Sequence, residues 1–171
     1  MRVGAVIAVA LVVAFAAWLI FRGDDDKSAQ PKGPASTAAT PAQLRAIPEE
    51  TGQELYWAGP RAGYTYELTR TTDGNNFIRY LPEGVAVGAQ QPNYLTVGTY
   101  PRRRALQGLR RLARRQTSVS FEVPRNGLAV YSRQRPTSVY LAFPSQDVQV
   151  EVFDPNAKRA RRLARSVRPI S

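Results

Sequence analysis

The sequence predicts an α+β protein: one N-terminal transmembrane helix, a flexible linker, then an antiparallel sheet of about six or seven strands with two basic amphipathic helices. Three observations predict it. Residues Val3–Phe21 carry no charge. Residues 23–46 turn to Asp, Pro, Ala, Ser, Thr and Gln. Beyond them, short alternating apolar runs are interrupted twice by segments whose apolar residues recur at helical spacing. The resulting division is 1–22 as anchor, 23–46 as disordered linker and 47–171 as the α+β domain.

The apolar run lies between Arg2 and Arg22. As a helix it would span roughly 28 Å, close to the hydrocarbon thickness of a bilayer. Trp18 and Phe21 stand near one end, where aromatic rings favour the interface. A cleaved signal peptide is the competing reading, because Ala14-Phe15-Ala16 fits a small-x-small site. The run continues through Ile20 and Phe21, so cleavage there would leave an apolar new terminus. Counting Lys and Arg favours a cytoplasmic C-terminal side by a single charge, with Asp24, Asp25 and Asp26 offsetting it. The short basic start and the Pro/Ala/Thr linker read instead as a signal anchor in the cytoplasmic membrane with the domain outside the cytoplasm. In the linker, Pro31, Pro34 and Pro41 break helical periodicity. A flexible chain of that length would hold the domain roughly 25–30 Å from the bilayer.

In the domain, Tyr64, Tyr66 and Leu68 alternate and lead through Thr72-Asp73-Gly74-Asn75 to Phe77–Leu81, the clearest hairpin. Shorter strands are read at Glu54–Trp57 and Tyr94–Thr99. Arg102–Arg115 changes period: Ala105, Leu106, Leu109, Leu112 and Ala113 share one face of a helix, and arginines take the other. Four alternating segments follow, around Phe121, Ala129, Leu141 and Val150, with Gln149 and Glu151 read as pointing to water. Asp154-Pro155 is read as the cap and first position of a second helix, whose apolar arc is Ala157, Ala160, Leu163, Ala164 and Val167. Clean alternation implies sheets with one wet face and helices over the other.

Composition excludes several chemistries. The chain has 171 residues, 24 Lys+Arg against 13 Asp+Glu, a formal net charge of +11, no Cys and no His. Disulfides, Cys/His zinc sites, thiol nucleophiles, His-based triads and lipoprotein anchors are all closed. No G-x-S-x-G, S-x-x-K or phosphate loop occurs. No cofactor or metal is expected, and the chain is read as not an enzyme. The carboxylates Glu49, Glu50, Glu54, Asp147 and Glu151 leave a small cell-wall hydrolase as an alternative, which needs two carboxyls across a cleft.

Tyr56-Trp57-Ala58-Gly59-Pro60, Gly63-Tyr64-Thr65-Tyr66-Glu67-Leu68-Thr69, Arg79-Tyr80-Leu81-Pro82 and Leu95-Thr96-Val97-Gly98-Thr99-Tyr100-Pro101 carry a resemblance. Over residues 55–105 the chain resembles a group of single-pass membrane proteins from high-GC actinobacteria to which no activity is assigned. The resemblance implies the plan of anchor, tether and domain, and an envelope location. It supplies no functional residues. The same strings have a structural account, with Trp57, Tyr64, Tyr66 and Leu68 as core and Gly59-Pro60, Gly98 and Pro101 as turns or strand ends.

The candidate site is therefore the arginine itself. Arg102, Arg103 and Arg104 precede Ala105, where a helix dipole disfavours cations; either an anionic partner reverses that sign or the helix starts near Ala105 with these residues in a loop. With Arg110, Arg111, Arg114 and Arg115 they form the first group of candidate anion-binding residues. Arg159, Arg161, Arg162 and Arg165 form the second. If the two helices lie side by side, they make one broad positive surface for anionic polymers or lipid head groups. The expected function is a membrane-tethered, non-catalytic binding or structural module. Its expected partners are the bilayer through residues 3–21, such an anionic polymer or head group, and an envelope protein. A cytoplasm-facing module for nucleic acid or another anionic polymer is the alternative. Nucleic acid is disfavoured, because Tyr56, Trp57, Tyr94 and Tyr100 read more readily as core or strand residues.

Overall fold

The structure is a computed structural model and describes residues 36–170. Its elements are β1 (Ser36–Ala39), α1 (Pro41–Thr51), β2 (Tyr56–Trp57), β3 (Tyr64–Arg70), β4 (Asn76–Pro82), β5 (Thr96–Pro101), α2 (Ala105–Ala113), β6 (Ser118–Val123), β7 (Gly127–Ser132), β8 (Ser138–Ala142), β9 (Val148–Phe153), α3 (Ala157–Ala164) and β10 (Arg168–Pro169). Eight strands form one sheet in the order β1-β3-β4-β5-β9-β8-β7-β6, and every pairing in it is antiparallel. β2 and β10 pair separately as a short antiparallel ribbon.

This corrects the expected fold class. The sheet has eight strands, not six or seven, and three short helices accompany it among the described residues. No helix among those residues is long and apolar enough to cross a membrane. The expected anchor at 3–21 lies outside the described residues. The expected flexible linker is replaced over residues 36–46. Ser36–Ala39 pairs with β3 in the register Ser36↔Thr69 to Ala39↔Tyr66, and Pro41 opens α1. A capping box starts that helix: Thr40 Oγ1 accepts from the Gln43 N–H at 3.2 Å, and Gln43 Oε1 accepts from the Thr40 N–H at 2.8 Å. Pro41 stands at the first helical position, where a missing N–H costs nothing. Gly52 ends the helix in the left-handed region at φ 65°.

The strand pleat decides where the helices go. In β8, Val139 and Leu141 face one side and Tyr140 and Ala142 the other, and all four are buried. Val139 and Leu141 join the main core with Tyr66, Leu68, Ile78, Tyr80, Val97, Val150 and Val152 from neighbouring strands. That face is covered by Leu44 and Ile47 of α1, Tyr56 and Trp57 of the ribbon, and Ala160, Leu163 and Ala164 of α3. Tyr140 and Ala142 instead pack with Val130 of β7 against Ala105 and Leu109 of α2. The expectation of helices over one face is thus also corrected: α2 and α3 cover opposite faces of the β6–β9 half.

Over β3 and β4, the α2 side of the sheet is covered by the loop 83–95. Glu67 is fully buried and pairs with Arg79 at 2.8 Å. Glu67 also accepts from the Gly88 N–H, and Arg79 donates to the Ala89 and Gln91 carbonyls while lying 5.4 Å from the Tyr94 ring centroid. One ion pair thereby satisfies three backbone polar groups of a loop long enough to need an internal anchor.

Because the two helices meet different cores, their contributions to stability are expected to be independent. Leu109→Ala and Leu163→Ala should each cost about 2–5 kcal/mol. In a double-mutant cycle by chemical denaturation the two losses should add to within about 0.5 kcal/mol. A larger coupling would mean that the helices share one packing unit.

Candidate anion-binding site

α2 starts at Ala105, so Arg102, Arg103 and Arg104 lie in the connection from β5. Arg104 sits at the N-cap with φ 55°, in the left-handed region, and its side chain makes no capping bond. The cap is supplied from elsewhere: Asp147 Oδ1 accepts the Arg104 N–H at 2.8 Å, and the Asp147 carbonyl accepts the Arg102 N–H at 2.7 Å. The negative group that the dipole calls for is therefore this chain's own carboxylate. Arg102 is partly buried, and that burial, together with Arg111 close by, lowers its pKa. Arg103, Arg104, Arg110, Arg111, Arg114 and Arg115 are exposed. Among the described residues only two ion pairs occur, Glu67–Arg79 and Asp154–Arg159, so none of these six has one.

The second group is organised differently. α3 is capped by Asn156, whose side chain accepts the Arg159 N–H at 3.0 Å. Asp154, the expected cap, is fully buried and instead accepts the Asn156 N–H at 2.7 Å and pairs with Arg159. Arg161 lies 5.2 Å from the Tyr131 ring centroid. Arg165 lies 4.4 Å from that of Phe121 and donates to the Glu122 carbonyl. Arg162 is exposed. Three of these four guanidinium groups thus already have partners within the fold. The single broad surface considered from the sequence does not form, because the sheet stands between the two groups.

No protein family, curated protein or solved structure matches this chain. Any reading of the site therefore rests on its own geometry.

That geometry includes two features not foreseen from the sequence. The first is a groove of about 450 Å³ between α2 and the β6–β7 hairpin, lined by Leu106, Arg110, Ala113 and Arg114 on the helix side and by Glu122, Val123, Asn126, Gly127 and Leu128 opposite. The helix residues follow the i, i+4, i+7, i+8 pattern of one stripe. The hairpin wall is fixed by Arg125 at φ 66° and Asn126 at φ 56°. Spacing alone could have found the helix stripe but not the wall it faces.

The second is a buried carboxyl beneath α2. Glu151, expected to point to water, is 1% exposed. Tyr100 donates its hydroxyl to Glu151 Oε2 at 2.6 Å, and Oε1 has no hydrogen-bond partner. Tyr100 reaches across Gly98, whose position opposite Glu151 must lack a side chain: a Cβ there would lie 2.7 Å from the Tyr100 hydroxyl. Burial pushes the Glu151 carboxyl up to about 7, while the hydroxyls of Tyr100, Ser138 and Tyr140 pull it back toward the charged form. A carboxyl whose folded pKa exceeds its ordinary 4.5 gives stability that is complete below that value and is lost as pH rises through about 7. The expected loss between pH 4 and pH 8 is roughly 3 kcal/mol. Thermal melts of Glu151→Gln across that range should be several degrees flatter than those of the parent; parallel curves would show that Glu151 does not titrate there.

Proposed function

We propose that this protein is a non-catalytic binding module, held at the cytoplasmic membrane with its domain outside the cytoplasm, that takes an anionic partner on the guanidinium face of α2. The uncharged stretch 3–21 motivates the membrane attachment, and the resemblance to envelope proteins motivates the side. Reporters fused to the C-terminus test the side directly: activity confined to the cytoplasm would replace the envelope reading with the cytoplasm-facing one.

The observation that carries the binding reading is the group of six exposed arginines on and around α2 that form no ion pair among the described residues. The described residues hold ten carboxylates, and half of them are engaged inside the fold. Glu67 and Asp154 pair with arginines, Glu151 is buried with Tyr100, Asp147 caps α2, and Glu54 is bonded to Tyr56 and Gln146. The positive potential over α2 is left largely uncompensated, which attracts phosphate- or carboxylate-bearing partners. A nucleic-acid surface would need aromatic faces beside the arginines. Tyr56 and Trp57 are instead buried, Tyr94 lies against Arg79, and Tyr100 is bonded to Glu151. For the hydrolase alternative, the groove offers the lone carboxylate Glu122.

The full chain should bind a polyphosphate matrix or anionic vesicles in a salt-dependent manner. Replacing Arg110, Arg111, Arg114 and Arg115 by Gln should lower the slope of log K against log salt by about 3, near 0.7–0.9 per lost phosphate contact. Replacing Arg161, Arg162 and Arg165 should change it by about 1 or less, because two of these already stack on rings. Equal effects of the two sets, or retention independent of salt, would remove the α2 assignment.

A further inference from the structure

We infer that the groove between α2 and the β6–β7 hairpin is a binding site for a single-chain amphiphile with a carboxylate head, a fatty-acid-like ligand. This inference rests on the reading of α2 as an anion-binding face and narrows it to one chemical class. The groove combines two chemistries that a purely ionic ligand would not need. Leu106, Ala113 and Leu128 line it and are only half-buried, so their apolar surface remains open to a ligand. Arg110 and Arg114 line it one helical turn apart, and neither forms an ion pair among the described residues. Two guanidinium groups at that spacing suit the two oxygens of one carboxylate.

The remaining lining sets the polarity of the site. Glu122 stands on the hairpin wall and also forms no ion pair among the described residues, so it repels a carboxylate from that wall and favours the α2 side for the head. Gly127 lines the groove with backbone alone: a Cβ there would point away from α2, to within 2.6 Å of the Phe143 ring in the main core. The hairpin turn at the end of this wall has Arg125 and Asn126 in the left-handed region. A volume of about 450 Å³ falls within the range of small-molecule sites, roughly 300–1,000 Å³. The tail would lie on Leu106, Ala113 and Leu128 and the head on Arg110 and Arg114.

The test uses the full chain with labelled Leu methyl groups in nanodiscs of zwitterionic lipid, titrated with hexanoate, octanoate, decanoate, octanol and acetate. Saturable shifts are expected at Leu106 and Leu128 and not at Leu141, which lies on the opposite face of the sheet. Affinity should rise about fourfold for each added CH₂. Octanoate should bind at least tenfold more tightly than octanol, and acetate should not saturate. Arg110→Gln with Arg114→Gln should bring octanoate to the level of octanol. Ala113→Trp should abolish binding, with the unchanged Leu141 signal reporting an intact fold; should that variant unfold, the two exposed arginine substitutions decide alone. Shifts that never saturate, or octanol binding as tightly as octanoate, would overturn the inference. If alkanoate binding fails while the α2 arginines still govern polyphosphate retention, the inference falls and the anionic-partner reading stands. Loss of both removes both.

Discussion

Successive residues of a strand point to opposite faces, and β8 is apolar on both. Val139 and Leu141 cannot be buried by the same element that buries Tyr140 and Ala142. A cover is therefore required on each side, α2 on one and α3 with α1 and the β2–β10 ribbon on the other, and the central sheet holds them apart. The basic faces therefore lie on opposite sides of the sheet and approach each other only toward its β6 edge, where Arg165 donates to the Glu122 carbonyl. The division of labour follows: α3 spends its arginines on Asp154, Tyr131 and Phe121, whereas α2 leaves its own exposed.

The same pleat explains the buried polar groups. Gln149 and Glu151 alternate with Val148, Val150 and Val152 along β9, a pattern that ordinarily marks a wet face. Once α2 covers that face, both polar residues are sealed under it, and Gln149 Oε1 and Glu151 Oε1 lack partners. Such groups are costly unless satisfied or neutralised. Glu151 answers by holding its proton more tightly, with Tyr100 laid over Gly98 to meet its other oxygen. The apolar hold on α2 comes from Ala105 and Leu109, with Leu106, Leu112 and Ala113 packed around them.

What the sequence made legible was local. The α2 stripe through Ala105, Leu109 and Ala113, the α3 stripe through Ala160, Leu163 and Ala164, and the β3–β4 hairpin all follow from spacing within a dozen residues. Which face each helix takes is set by register across strands distant in the chain, and an amphipathic helix has the same pattern on either side of a sheet. The depth of Glu151 was hidden for the same reason. Ser36–Thr51 is a different case: Thr40-Pro41-Ala42-Gln43 carries a capping-box signature that the surrounding Pro, Ala and Thr residues obscured. Of the candidate site, the arginines were legible and the groove was not. Its second wall comes from a hairpin whose position against α2 no local pattern specifies.

A concentration of guanidinium groups on one short helix has to be tolerable to the fold before it can serve a partner. α2 meets that condition at each end separately. At its C-terminal end Arg110 and Arg111 stand in the last turn, where the helix dipole favours cations. At its N-terminal end the arginines oppose the dipole, and there Asp147 supplies the missing negative charge through the Arg104 N–H. The site thus has an internal counterion only where the fold needs one. Over the groove at Arg110 and Arg114 the dipole already accommodates the charge, so nothing in the fold requires a carboxylate there. That position is where an external anion gains most, because it displaces no ion pair on binding.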